Sequence, residues 1–277
     1  MPASQKPVAL VVGASRGIGR QVAIDLAKNG YAGTTPPFPF RLRDTTDLSF
    51  AVVVAAKTTS DASQCSPFPP DPNSPQSTIN TVAREILEAG NEALPLQVDV
   101  RSYEEIQNLV KKTGEKFGRI DVLVYNSGAI WWSSVSQTPM KRFQLMQRIN
   151  PEGLYGTVQE VLPWMYKNGE DGKGKGRIVV ISPPVYRRFL KGKTAYAMGK
   201  WGMSALTMGL SVDFEREGRE GMAITSLWPA SVSSLEWKRI RLLCSRAASL
   251  GSRGVFSRLR DADILRAGDS ISGVWLL

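Results

Sequence analysis

A chain of 277 residues with 42% apolar and 22% charged side chains can bury one large core, and it lacks the compositional bias of a disordered or fibrous protein. It contains no histidine, which excludes histidine-based acid–base catalysis and most zinc-ligand sets, and no run approaches the roughly 18 apolar residues of a membrane-crossing helix. The net charge of +10 comes from scattered cations without a basic stripe carrying interleaved aromatics, so no nucleic-acid partner is expected.

In chain order, Val8–Val12 is an apolar run ending at Gly13 and reads as a buried parallel strand. Arg20–Asn29 has helical spacing and is closed by Gly30. Ala51–Ala56 is a second buried strand, Ser77–Ala89 a helix ended by Gly90, and Leu94–Val100 a strand. Ser102 is placed to cap a helix running to Phe117, with Glu105 three residues on completing a capping box. Ile120–Tyr125 follows as a strand, and Thr138 opens a long helical region through Tyr166. Arg177–Ile181 is a strand, Ala195–Glu217 a long helix and Met222–Leu227 the last strand of the series. This alternation predicts an α/β fold: a doubly wound, Rossmann-like parallel sheet with helices on both faces, in a single domain over residues 1–230.

Three segments break the rhythm. Residues 33–50 form an insert with three prolines where a loop of about 2–6 residues is the norm. Residues 61–75 are proline-rich and read as an exposed loop. Residues 231–277 are about half Ser, Arg and Leu and fit no periodic template. Because those three residues have the most codons, an out-of-frame or alternatively spliced reading would produce this bias. The insert invites the same explanation as a retained intron, which comparison of transcript with genome tests. Cys65 and Cys244 lie far apart without metal-ligand neighbours, as expected of free thiols in a reducing compartment. Lys6-Pro7 leads straight into the first strand, unlike a secretory signal, and Gly273–Leu277 carries no peroxisomal address. A soluble intracellular protein is expected, cytoplasmic in the first instance, with mitochondria and peroxisomes left open.

Gly13-Ala-Ser-Arg-Gly17-Ile-Gly19 follows a strand and opens a helix, the setting in which a glycine-rich loop binds a dinucleotide. Gly13 permits the tight turn, Gly17 lets the backbone approach a pyrophosphate, and Gly19 lets helix and strand pack closely. The helix N-terminus would offer its N–H groups to the phosphates. At the end of the second strand, where an acidic residue would favour NAD, the chain has Lys57, with Arg16 close by in the folded loop. Two cations there favour a 2′-phosphate, hence NADP(H); the competing account makes both solvated surface charges.

Tyr196 and Lys200 are spaced i, i+4 and share one helix face. A phenol is a poor acid or base at neutral pH, and a neighbouring ammonium would lower its pKa into a useful range. Trp131 and Trp132 could line a bulky apolar pocket or simply pack.

GASRGIG, Asp99 in VDV, FGRIDVLVYNSGA, Asn150 in RINPEG, GRIVVIS and YAMGK occur in this order. Over residues 6–230 the chain thereby resembles the short-chain dehydrogenase/reductase family, and VVVAAKT, QTPMKR, ISPP and LWP resemble a hydroxysteroid dehydrogenase-like subgroup of it. The resemblance implies an NADP(H)-dependent oxidoreductase acting on a lipophilic carbonyl or alcohol, with Asn150, Ser182, Tyr196 and Lys200 as catalytic residues. Tyr196 would exchange a proton with the substrate oxygen. Lys200 would lower its pKa and bind the nicotinamide ribose, Ser182 would hydrogen-bond the substrate carbonyl, and Asn150 would hold a water linking Lys200 to solvent. Gly13, Ser15, Arg16, Gly17, Ile18, Gly19, Lys57, Asp99, Val100, Asn126, Gly128 and Pro229 would bind the cofactor with Tyr196 and Lys200, and no metal is implied. A homodimer through helices that include 196–217 is implied as well.

The chain departs from the family pattern in places. Pro183 stands at the commoner serine spacing before Tyr196, the family's NNAG reads Tyr125-Asn126-Ser127-Gly128, and residues 231–277 resemble neither the family's lid helix nor its last edge strand. An NADP(H)-binding protein without catalysis is therefore the alternative.

Overall fold

The computed structural model describes residues 6–29, 49–61, 76–169, 172–182, 190–229 and 275–276. Six parallel strands form the sheet: β1 (Val8–Val12), β2 (Ala51–Ala56), β3 (Ala93–Gln97), β4 (Val122–Tyr125), β5 (Gly176–Ile181) and β6 (Met222–Trp228). A two-residue strand, β7 (Trp275–Leu276), pairs antiparallel with β6. The order is β3-β2-β1-β4-β5-β6-β7, so the chain reverses its winding between β1 and β4. The expected doubly wound α/β architecture is what forms.

Helices α1 (Gly17–Asn29), α2 (Ile79–Glu88), α3 (Tyr103–Phe117), α4 (Met140–Gln147), α5 (Gly153–Lys167) and α6 (Thr194–Arg216) connect the strands. They cover both faces, because alternate residues of each central strand enter two separate cores. Val8, Leu10 and Val12 of β1 pack with residues of α3, α5 and α6, whereas Ala9 and Val11 pack with residues of α1 and α2. Every residue of β1 and β2 is buried, which is why both read as unbroken apolar runs.

Several expectations change in detail. The helix predicted from Arg20 begins at Gly17, inside the glycine loop. Ser102 does cap α3 by accepting from the Glu105 N–H at 3.3 Å, but the capping box does not close. The Glu105 carboxylate accepts from the Asp99 N–H at 2.6 Å instead. A capping box forms instead at α2, between Thr78 and Thr81. The long helix predicted over 138–166 is two helices, α4 and α5, joined by one π-helical turn at Arg148–Glu152 that contains Pro151, a residue with no N–H to continue an α-helix. Of residues 231–277 only the two of β7 are described; 231–274 and 277 lie outside the described residues, as do 33–48 of the insert and 62–75 of the proline-rich loop. Ser49 and Phe50, by contrast, are buried. Among the described residues no helix is long and apolar enough to cross a membrane.

Candidate active site

Because β1 to β6 run parallel, the residues following them gather at one edge of the sheet. Those residues include Gly13, Lys57, Asp99, Asn126, Ser182 and Pro229. The winding reversal beside β1 and β4 opens a crevice at that edge, which is where such sheets take ligands.

The glycine loop forms the crevice wall. Gly13 has φ 87° and Gly17 φ 58°, in the left-handed region that glycine enters without penalty. Gly13 N–H donates to the Ala55 carbonyl at 2.7 Å. A methyl group on Gly13 would stand 2.5 Å from Ser127 N, and one on Gly19 would stand 2.1 Å from the Gly13 carbonyl oxygen, so neither position has room for a side chain. Asn126 closes the loop from the far side, donating through Nδ2 to the Gly13 carbonyl at 2.9 Å. Ser15 is buried, and its carbonyl accepts from Ser77 Oγ at 2.7 Å. Ile18 is partly buried against the α1–α2 core, and Arg16 is exposed. The first turn of α1 carries no acidic residue. These residues fit a pyrophosphate-bearing dinucleotide: glycine backbone at close quarters, helix N–H groups, and no opposing carboxylate.

Lys57 is exposed at the end of β2, but it is not alone. Its ammonium lies 3.0 Å from Asp99 Oδ2, and the Arg101 guanidinium grips the same carboxylate with two nitrogens. Hydrogen bonds from Arg101 hold the Asp99 carboxyl far below the usual carboxylate range, with Lys57 adding to the effect. Neither ion pair was foreseen, because one joins residues 42 apart and the other depends on the turn after β3. Val100 is buried next to this cluster.

The second group of residues lies across the crevice. Tyr196 and Lys200 sit on the buried face of α6, as their spacing predicted. Burial pushes the Tyr196 phenol up to about 12 and the Lys200 ammonium down to about 8. Desolvation is the cause of both shifts, and the ammonium donates to the Ile181 carbonyl at 2.8 Å. Asn150 is fully buried in the π-helical turn. Its amide pairs with the backbone of Ala129, accepting from N–H at 2.9 Å and donating to the carbonyl at 3.2 Å. A methyl group built on Gly128 would lie 3.5 Å from both Asn150 Oδ1 and Lys200 Nζ, so both side chains approach the open side of that glycine.

Ser182 is buried, and its hydroxyl donates to the Lys200 carbonyl at 3.1 Å and lies 3.0 Å from Ser204 Oγ. The hydroxyl is thus engaged with the backbone of α6. Pro183 and the Tyr186-Arg187-Arg188 stretch lie outside the described residues.

Trp131 and Trp132 are both exposed, Trp132 at 62%. Arg142 lies over the Trp131 ring at 4.6 Å and Lys193 over the Trp132 ring at 4.5 Å. Lys193 immediately precedes α6, three residues before Tyr196.

Fold and crevice define a class, the doubly wound α/β proteins of nucleotide-binding type. A sequence model of the short chain dehydrogenase family matches residues 73–241, and the chain belongs to that family of NAD(P)-using oxidoreductases. It is similar to hydroxysteroid dehydrogenase-like protein 2 of Bos taurus, at 34% identity over 92% of this chain and 50% of that protein. For the Danio rerio protein of the same name the identity is 36%, over 79% of this chain and 44% of that one. The chain thus spans about half the length of the curated relatives it matches. Among solved structures, a short chain dehydrogenase from Mycobacterium thermoresistibile is 27% identical with a TM-score of 0.65, covering 89% of this chain and 81% of that one. A metagenomic short-chain oxidoreductase in complex with NADP superposes with the same TM-score at 22% identity, over 86% of this chain and 90% of that one, a likeness of fold.

Proposed function

We propose that this chain is an NADP(H)-dependent oxidoreductase interconverting a carbonyl and an alcohol on a lipophilic small molecule. The observation that carries the proposal is that Lys200 on the buried face of α6, which also bears Tyr196, and Asn150 of the π-helical turn both come within 3.5 Å of where a Cβ on Gly128 would stand. In this reading Gly13, Ser15, Arg16, Gly17, Ile18 and Gly19 hold the pyrophosphate, and Arg16 and Lys57 read the 2′-phosphate. Asp99 and Val100 flank the adenine, and Asn126, Gly128 and Pro229 line the nicotinamide end. When bound, the nicotinamide supplies the hydride chemistry. Tyr196 moves a proton to or from the substrate oxygen. Lys200 fixes the ribose and the local charge, and Asn150 holds the loop beneath it. Ser182 supports this face by tying the end of β5 to the Lys200 carbonyl. The exposed Trp131 and Trp132 beside Lys193 favour an apolar substrate, in keeping with the names of the curated relatives, and the NADP found in the metagenomic neighbour favours the phosphorylated nucleotide.

The second reading, NADP(H) binding without catalysis, draws on one observation: the Ser182 hydroxyl is already engaged with α6. Both readings predict that NADPH raises the melting temperature more than NADH does. Only an enzyme oxidises NADPH when a panel of aliphatic and aromatic ketones and aldehydes is supplied. Carbonyl-dependent consumption of NADPH establishes the first reading, and binding without consumption establishes the second.

A further inference from the structure

Tyr125 ends β4 where the family pattern has asparagine, and its side chain is among the largest fully buried in the protein. Its O–H donates to the Ile149 carbonyl at 2.6 Å. Burial pushes the phenol far above its ordinary pKa, so this hydroxyl remains a donor at any pH the protein experiences.

Ile149 is one residue before Asn150, inside the π-helical turn Arg148–Glu152. In an α-helix the Ile149 carbonyl would accept from the Gly153 N–H. Here that N–H is directed to the carbonyls of Arg148 and Asn150, and Pro151 has no N–H to contribute. The turn therefore deprives Ile149 of its α-helical donor, and a carbonyl in this part-buried setting loses free energy when it has no donor. The Tyr125 hydroxyl supplies the donor. The fit is close, because a methyl group on Gly153 would stand 2.5 Å from Tyr125 Oη. A π-helical turn inside a helix is rare and is commonly found at functional sites.

We infer that Tyr125 is a positioning residue: by bonding the Ile149 carbonyl it holds the π-helical turn that aims Asn150 at Ala129, and so sets the floor on which Lys200 rests. The path is short. Asn150 pairs with both backbone groups of Ala129, and Lys200 Nζ lies 3.5 Å from where a Cβ on adjoining Gly128 would stand. The inference rests on the oxidoreductase reading for its catalytic consequence, while its structural half stands on the Ala129 pairing.

The test uses the full chain with Tyr125→Phe, which removes one oxygen and keeps the ring. Two readouts are taken: amide hydrogen exchange at Ala129 against the sheet amides of β1 and β4, and steady-state NADPH oxidation with the best carbonyl of the panel. Expected are Ala129 exchange faster by about tenfold or more with the sheet amides unmoved, and a fall in kcat of about tenfold with KM for NADPH nearly unchanged. The kcat losses of Tyr125→Phe and Asn150→Ala should overlap in a double-mutant cycle rather than multiply. Unchanged Ala129 exchange overturns the inference, as does full multiplication of the two losses. If the wild-type chain turns over no carbonyl, the oxidoreductase reading fails while Ala129 exchange still decides the role of Tyr125. Should Tyr125→Phe not fold, Pro151→Ala restores an N–H to the turn and should accelerate Ala129 exchange in the same way; no acceleration there counts against the inference.

Discussion

The Lys200 ammonium is hydrogen-bonded to the Ile181 carbonyl at 2.8 Å, which fastens the N-terminal third of α6 to the end of β5. The same carbon chain is fully buried, and burial draws the ammonium down to about 8 from an ordinary 10.5. Below pH 8 the native protein therefore carries a buried charge that the unfolded chain would leave in water. Between about pH 8 and 10.5 the unfolded state binds more protons, so stability rises with pH across that window, by an amount on the order of 3 kcal/mol. Tyr196 acts oppositely. Raised to about 12 from 10.0, it contributes stability that is present below pH 10 and lost between pH 10 and 12. Melting curves should show Lys200→Met abolishing the rise above pH 8, and an unaltered slope in that variant refutes the assignment. Turnover that depends on the ammonium should fall as pH passes through about 8.

Tyr196→Phe removes the only oxygen on the buried face of α6 that the proposed reaction uses as a proton carrier. Proton transfer by a positioned side chain contributes about 10²–10⁴-fold, so kcat should fall by at least a hundredfold on that scale. NADPH binding by titration calorimetry should survive, since the glycine loop lies across the crevice. A variant that turns over at the wild-type rate rules Tyr196 out.

Nucleotide choice should divide unequally between the two cations. Arg16 is exposed and available, whereas Lys57 shares Asp99 with Arg101. Arg16→Ala should weaken NADPH about tenfold or more, the worth of a charge-assisted hydrogen bond, and leave NADH nearly unaffected. Lys57→Ala should cost less. Equal losses for both nucleotides would remove the 2′-phosphate from the argument.

Gly19→Ala places a methyl 2.1 Å from the Gly13 carbonyl oxygen and 2.7 Å from Asn126 Nδ2. The first obstacle is backbone and cannot rotate away. Overpacking of this kind costs about 1–3 kcal/mol, so the melting temperature should drop by several degrees and nucleotide affinity with it. A stable variant that still binds NADPH would show that the loop opens freely.

Along α6, Met198, Trp201, Met208 and Val212 are exposed at helical spacing, Val212 at 52%, forming an apolar stripe opposite the catalytic face. The homodimer implied by the family resemblance would cover it. Sedimentation velocity should give a dimer for the native chain and a monomer for Trp201→Glu; a monomeric native chain refutes the proposal.

What could be read from the sequence is what local pattern controls. β1 and β2 were legible because both faces are buried, and the glycine loop because left-handed backbone and missing Cβ atoms leave few alternatives to glycine. Tyr196 and Lys200 follow from one helical period. Illegible were the relations between distant segments. Nothing local reveals that Lys57 meets Asp99, or that the Glu105 carboxylate leaves Ser102 for the Asp99 N–H. Pro151 reads as part of the helical region over 138–166, and the π-helical turn it sits in is supported by a bond from Tyr125 on another element. Ser182 illustrates the limit of motif transfer: its position after β5 is as expected, while the direction of its hydroxyl depends on Ser204 and the Lys200 carbonyl.

The winding reversal has a kinetic side. β1 pairs with β2, the next strand in the chain, but its other neighbour is β4, where Ala9 pairs with Val122 across more than a hundred residues. Closing so long a loop is slow compared with forming either half of the sheet. The Asn126 bridge to the Gly13 carbonyl spans that seam, so the crevice comes into being only when the two halves have docked. A molecule bound in it staples the last-formed contact of the fold, and its dissociation frees the seam to open first when the chain unfolds.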